Sequence, residues 1–305
     1  MGTNLAVKIG KLKLKNPVMT ASGTWGAEYG ELYDINRLGA IVLKTITLEE
    51  RSGNPPPRVC ETASGMLNSI GLENKGVEDF IRNKLPELRG VKTHLIASIA
   101  GSGKDEFKEL ARRLSGCGQV AALELNLSCP NISYGSREDL IAHNEKAVYE
   151  VVKAVRRATG LAIITKLSPN VTDIKVFAKA AEAGGSDAIA LTNTFIGMAV
   201  DIDTKRPMLG NITGGLSGPA VKPLSLRAVW EAGKAVDIPI IGIGGIMDYR
   251  DAVEFMLCGA SAIQVGTANF VNPRVPAEII KGLEEYLKKK RISGVGKLIG
   301  AVKLG

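Results

Sequence analysis

The chain has 305 residues, of which 45% are hydrophobic and 35 are glycine; 39 basic and 31 acidic side chains leave a net charge of +8. Such a composition suits a globular α/β protein with many tight turns. Four cysteines (Cys60, Cys117, Cys129, Cys258) show neither CxxC spacing nor a histidine at metal-ligand spacing, which argues against an iron–sulfur or zinc site on this chain. No signal peptide is evident and no run approaches the roughly 20 apolar residues of a membrane span, so the expected setting is the reducing cytoplasm, with no membrane contact. The positive charge is spread along the chain apart from Lys288-Lys289-Lys290-Arg291. That run reads as the solvated end of a helix, where cations complement the dipole, rather than as a nucleic-acid surface.

In chain order, residues 5–15 alternate apolar and charged side chains around Gly10, the pattern of a two-stranded hairpin, expected as a lid over the base of the main domain. Eight apolar runs follow at 18–21, 40–44, 94–100, 122–129, 162–168, 188–194, 239–245 and 262–267. Helical patterns lie between most of them, at 104–114, 137–158, 173–183, 223–236 and 249–257, with a last one at 276–291. Eight strands with intervening helices predict an α/β fold of the (β/α)8 TIM-barrel type, in one domain spanning 1–305, with a doubly wound sheet as the alternative. The stretch 45–91 breaks the rhythm. It is too long for an ordinary connection, and its apolar residues and glycines predict an ordered cover over the barrel mouth.

The chemistry is expected at the C-terminal ends of the strands, where barrel enzymes build their sites. The fourth run breaks from Glu124 and Leu125 into Asn126-Leu127-Ser128-Cys129-Pro130-Asn131. Pro130 cannot continue a ladder, so the strand should end near Cys129, leaving a thiol flanked by two asparagines at the mouth. A free cysteine is often only a buried apolar group. Here His94 and His143 are too few and scattered to compete, and Cys129 is the best proton-transfer candidate. Lys44 and Lys166 lie at the ends of apolar runs; with Asn68, Asn126, Asn131 and Asn193 they could grip a flat, amide-rich ring with an acidic substituent. Gly244-Gly245 and Gly266-Thr267, after the seventh and eighth runs, suit close approach to a phosphate.

Several motifs together resemble class 1 dihydroorotate dehydrogenases. They are Ala21-Ser22-Gly23-Thr24, Gly53-Asn54-Pro55-Pro56-Pro57-Arg58, Gly65-Met66-Leu67-Asn68-Ser69-Ile70-Gly71-Leu72, the Asn126 to Asn131 motif and Asn193-Thr194. The Gly-Met-Leu-Asn form of the cover resembles class 1B, the catalytic subunit that uses NAD through a partner. The resemblance spans essentially the whole chain. It implies FMN in the barrel mouth and oxidation of (S)-dihydroorotate to orotate in pyrimidine biosynthesis. By resemblance, Ser22, Lys44, Thr45, Asn126, Lys166 and Thr192 contact the flavin, and Gly218, Gly244, Gly245, Gly266 and Thr267 surround its phosphate. Substrate contacts fall on Lys44, Asn68, Ser69, Ile70, Gly71, Leu72, Asn126, Asn193 and Thr194. Cys129 is the implied base, and no metal is implied. The implied partner is an electron-transfer subunit carrying FAD and a 2Fe–2S cluster, joined to a homodimer of this chain as a heterotetramer.

Two departures from that pattern stand out. Ser98 occupies a position where many members carry asparagine beside the flavin, and Ile132-Ser133-Tyr134-Gly135-Ser136 replaces a lysine- and glycine-rich loop. Alternatives remain at this level: a fumarate-using class 1A enzyme, a related dihydropyrimidine or tRNA-dihydrouridine flavoenzyme, or a flavin-binding module without turnover.

Overall fold

The computed structural model describes residues 3–26, 30–127 and 141–305. The chain opens with the hairpin β1 (Val7–Ile9) and β2 (Leu12–Leu14), paired antiparallel through a turn at Gly10-Lys11. Val7, Ile9, Leu12 and Leu14 are buried while Lys8 and Lys13 face solvent, so the alternation seals the hairpin onto the protein. It covers the N-terminal ends of the barrel strands: Lys13 O is 3.1 Å from His94 Nε2, and a side chain at Gly10 would strike Asp187.

The barrel strands are β3 (Val18–Thr20), β4 (Ala40–Val42), β7 (His94–Ile99), β8 (Val120–Asn126), β9 (Ala162–Lys166), β10 (Ala188–Leu191), β15 (Ile240–Ile243) and β16 (Ala260–Val265). They close in the order β3-β4-β7-β8-β9-β10-β15-β16, all pairings parallel. Runs such as Ala40-Ile41-Val42 are wholly buried, as expected of strands covered on both faces. The fourth strand stops at Asn126, short of the expected Cys129; Cys129 itself lies outside the described residues, as does the 132–136 stretch.

The helices explain themselves locally. In α4 (Glu145–Ala158) Val148, Val151, Val152 and Val155 recur at one-turn spacing and are all buried. Each contributes roughly 1.5–3 kcal/mol by leaving water. That helix begins later than the expected 137, because the Asn144 side chain accepts from Ala147 N and caps it. The other helices are α3 (Lys104–Ser115), α5 (Ile174–Gly184), α6 (Lys222–Gly233), α7 (Tyr249–Leu257), the single turn α8 (Ala268–Val271) and α9 (Val275–Lys290). Among the described residues, no helix is long and apolar enough to cross a membrane.

The cover is more than a loop. Within 45–91 lie the hairpin β5 (Val59–Thr62) and β6 (Gly65–Asn68), then a helical stretch of α1 (Gly76–Asp79), a wide turn and α2 (Leu85–Glu87). After β10 the chain makes a second excursion that the sequence rhythm did not reveal: β11 (Phe195–Met198), the short pair β12 (Val200–Asp201) and β13 (Arg206–Pro207), and β14 (Thr213–Ser217). The two excursions join into one antiparallel sheet, ordered β11-β14-β6-β5. Cys60, Leu67 and Leu209 form a small core of its own.

Candidate active site

The strand ends and the cover sheet enclose a cleft over the C-terminal mouth of the barrel. The barrel order dictates what faces what. Asn126 ends β8, and Gly266 follows β16, four places round the ring of eight. A ligand across the mouth therefore meets amides and ammonium groups on one wall and glycine turns on the other.

On the first wall, Lys44 follows β4 and is exposed, Lys166 ends β9 and is 5% exposed, and both line the cleft with Asn126, Thr45 and Asn193. A directed chain of hydrogen bonds fixes the amides. Asn193 Nδ2 donates to Asn126 Oδ1 at 3.0 Å, and Asn126 Nδ2 donates to Thr45 Oγ1 at 3.4 Å. Thr45 Oγ1 is in turn 2.9 Å from Ser98 Oγ. Having accepted from Asn126, the threonine can either donate its proton to Ser98 or accept the serine's with its second lone pair. Ser98 is fully buried behind Thr45 and does not line the cleft, so it supports a neighbour rather than replacing the asparagine contact directly. Asn193 Oδ1 accepts from Thr194 N at 2.8 Å, which sets the rest of that amide.

On the opposite wall, Gly244 and Gly245 follow β15, while Gly218 follows β14; all three have positive φ. A side chain at Gly245 would lie 2.7 Å from Lys222 Cβ and 3.0 Å from Gly218 O, so two backbone turns touch there. Thr267 Oγ1 donates to Ser217 Oγ at 2.8 Å and ties the β16 end to the cover sheet. Thr192 lines the same space and pairs with Ser225 Oγ at 3.2 Å. Lys222 anchors the wall from outside: its ammonium bonds Asp251 Oδ1 at 2.7 Å and its amine is raised above the ordinary lysine value, chiefly by that bond. Asp251, the third residue of α7, completes the capping box begun by the N-cap Asp248 and accepts from Met247 N, so one carboxylate ties the start of α7 to Lys222 at the start of α6.

The cover supplies the roof. Asn68, Ile70, Gly71 and Leu72 line the cleft together with Ser22 and Thr194. Ser69 does not: it is fully buried, its hydroxyl accepts from Asn54 Nδ2 at 3.0 Å and its amide donates to Arg58 O at 2.7 Å. Period-two alternation sends its side chain the other way from Asn68. The 53–58 turn and the 65–72 motif are thus one device, held together by Arg58, which also bonds Glu73 Oε2 and Ser52 O at 2.9 Å each.

The cleft thus gathers Ser22, Lys44, Thr45, Asn68, Ile70, Gly71, Leu72, Asn126, Lys166, Thr192, Asn193, Thr194, Gly218, Gly244, Gly245, Gly266 and Thr267. Sequence reasoning missed Asn170, whose Nδ2 donates to Thr194 O at 3.0 Å and whose Oδ1 accepts from Ile196 N at 3.0 Å. Its place in Ser168-Pro169-Asn170 just past the fifth run was the available signal. Glu124, an acid inside an otherwise apolar run, was a second.

Comparison with known proteins agrees with this geometry. A family model described as dihydroorotate dehydrogenase matches residues 4–287. The Bacteroides fragilis protein named dihydroorotate dehydrogenase B (NAD(+)), catalytic subunit, is 50% identical over 303 residues, 99% of either chain. A Desulforamulus reducens protein of the same name is 51% identical over 306 residues, 100% of each. The solved structure of DHODH from Eimeria tenella in complex with ferulenol matches with a TM-score of 0.79 over 98% of this chain and 88% of that one; at 23% identity, this is a likeness of fold. With the family model covering most of its length and relatives of about 50% identity covering nearly all of it, the chain belongs to the dihydroorotate dehydrogenase family.

Proposed function

We propose that this chain is the catalytic subunit of an NAD-linked dihydroorotate dehydrogenase, a single FMN-binding domain that oxidises (S)-dihydroorotate to orotate in pyrimidine biosynthesis. The observation that carries the reading is the meeting of Lys44, Asn126, Lys166 and Asn193 on one side of a cleft, beneath the roof residue Asn68, with glycine turns on the other side. The residues present fit FMN. Gly244 and Gly245 line the cleft, and a Cβ on either would strike the protein behind it, at 2.3 Å from Ser225 Oγ and 2.7 Å from Lys222 Cβ, so these turns present bare backbone to a phosphate. Lys166, Thr45 and Thr192 would hold the ring, and Gly218, Gly244, Gly245, Gly266 and Thr267 the phosphate. Bound FMN supplies the acceptor for the hydride leaving C6 of the substrate.

The chain's own residues do the rest. The Lys44 ammonium suits the substrate carboxylate, and the oriented amides of Asn126 and Asn193 suit the ring's alternating carbonyl and N–H edges. Cys129, three positions after Asn126 in sequence, takes the proton from C5. A free thiol has a pKa near ~8.5, close enough to working pH for proton transfer. Roofing by the cover sheet keeps water from the reacting carbons. A partner subunit carrying FAD and a 2Fe–2S cluster, in a cytoplasmic heterotetramer built on a homodimer of this chain, would supply the electron path to NAD.

The test is anaerobic mixing of the purified protein with dihydroorotate while flavin absorbance is followed. Rapid bleaching, reversed by NAD only with the partner subunit present, is the expected result. Re-oxidation by fumarate without a partner would replace the NAD assignment. A protein that cannot be reconstituted with FMN would remove the cofactor assignment itself.

A further inference from the structure

One layer below the mouth, the barrel interior holds a polar group that the reading above leaves without a task. Glu124 belongs to β8 and Gln264 to β16, on opposite walls of the ring. Gln264 Nε2 donates to Glu124 Oε2 at 2.6 Å, so the bond crosses the inside of the barrel. Glu124 Oε1 lies 3.6 Å from Lys166 Nζ and has no hydrogen-bond partner among the described residues. Glu124 and Gln264 are 0% exposed. A barrel interior is ordinarily filled with branched apolar side chains. A buried ion pair adds little stability over apolar groups of the same volume, while an isolated buried carboxylate is costly. Stability therefore does not account for an acid at this position.

Position does account for it. Lys166 lines the cleft, with Glu124 on its inner side. The bond from Gln264 sets the rotation of the carboxylate and leaves Oε1 toward the lysine. Building on the flavin reading above, we propose that Glu124 and Gln264 are positioning residues that hold the Lys166 ammonium at the cleft floor against the bound flavin ring. By doing so they set how strongly the site favours the reduced, more negative ring over the oxidised one. Positioning and a direct field have opposite signs. If Glu124 acted only through its own negative charge, removing it would make the flavin easier to reduce. If it acts by holding the lysine, removing it makes the flavin harder to reduce.

The experiment is dye-coupled redox titration of the FMN-loaded chain, with FMN affinity measured by fluorescence on the stripped protein, for wild type, Glu124→Gln, Gln264→Met, Lys166→Met and the Glu124→Gln/Lys166→Met double variant. Glu124→Gln and Lys166→Met should each lower the preference for reduced over oxidised flavin about tenfold, a fall of about 30 mV for a two-electron couple. In the Lys166→Met background Glu124→Gln should add nothing, because the two act as one unit. Gln264→Met should shift the potential in the same direction by less. A potential that rises or stays unchanged in Glu124→Gln, or an equal fall that persists without Lys166, overturns the proposal. If Glu124→Gln does not fold, an unchanged potential in Gln264→Met overturns it instead. A wild-type chain that holds no FMN, or a Lys166→Met variant with wild-type affinity and potential, would overturn the flavin reading and this proposal with it.

Discussion

Gly215 offers a sharp test of how the cover sheet positions the proposed substrate side of the cleft. It lies in β14 between Ile196 of β11 and Asn68 of β6, held by strand pairing on both sides. A Cβ there would fall 2.0 Å from Thr194 Oγ1 and 2.6 Å from Thr194 Cβ. Rotating the threonine side chain cannot relieve the second contact, because Cβ is fixed to the backbone. Gly215→Ala must therefore displace the Thr194 backbone, whose N–H bonds Asn193 Oδ1 and whose carbonyl accepts from Asn170. Overpacking of this kind costs about 1–3 kcal/mol. Borne by the substrate wall alone, that is roughly a 5- to 150-fold loss of affinity at 1.4 kcal/mol per tenfold. The assay is titration of the FMN-loaded protein with orotate by flavin difference spectra, beside a thermal melt. Weakened orotate binding with FMN retained is the expected result. Gly197→Ala, on the same sheet, meets the flexible end of Leu67 at 3.0 Å and Leu216 Cβ at an ordinary 3.7 Å, and should leave orotate affinity near wild type. If Gly215→Ala binds orotate as wild type does, the sheet does not set the position of Thr194 and the reasoning fails.

Cys129→Ala should keep FMN bound yet nearly stop its reduction by dihydroorotate, seen by anaerobic stopped flow; wild-type rates would remove Cys129 as the base. Lys44→Ala should weaken both flavin and substrate binding by about tenfold or more, since a charged hydrogen bond contributes about 1.5–3 kcal/mol, and unchanged titrations of both would take Lys44 out of the site. Asp251→Ala should destabilise the protein by about 2–4 kcal/mol in denaturant unfolding, through the lost cap and the lost Lys222 bond. The Lys222 amine is raised above 10.5 in the folded protein, so its contribution is complete below that pH and fades as pH climbs through the folded value. The gap between wild type and Asp251→Ala should accordingly be constant near pH 7–9 and narrow in stronger base. A gap that widens there would refute the assignment.

The barrel itself was legible in the sequence, because strands buried on both faces need continuous apolar runs and helices packed on one face need one-turn spacing. Ala40-Ile41-Val42 and the valines of α4 carry those signals within a few residues. The strand-end lysines, asparagines and glycines were legible for a related reason: ring closure brings all strand ends to one mouth, wherever they lie in sequence. Other features depended on partners far away. Thr213-Gly214-Gly215-Leu216-Ser217 has no alternation of its own and becomes a strand because it pairs with 66–68 and 195–198. Ser69 could be read as a cleft residue until the Asn54 amide was seen to claim its hydroxyl. Glu124 and Gln264 are 140 residues apart, and only closure of the barrel sets them face to face. Local periodicity follows from burial of each segment, and so the sequence determined it; which polar groups meet follows from the three-dimensional path, and so the tertiary structure decided it.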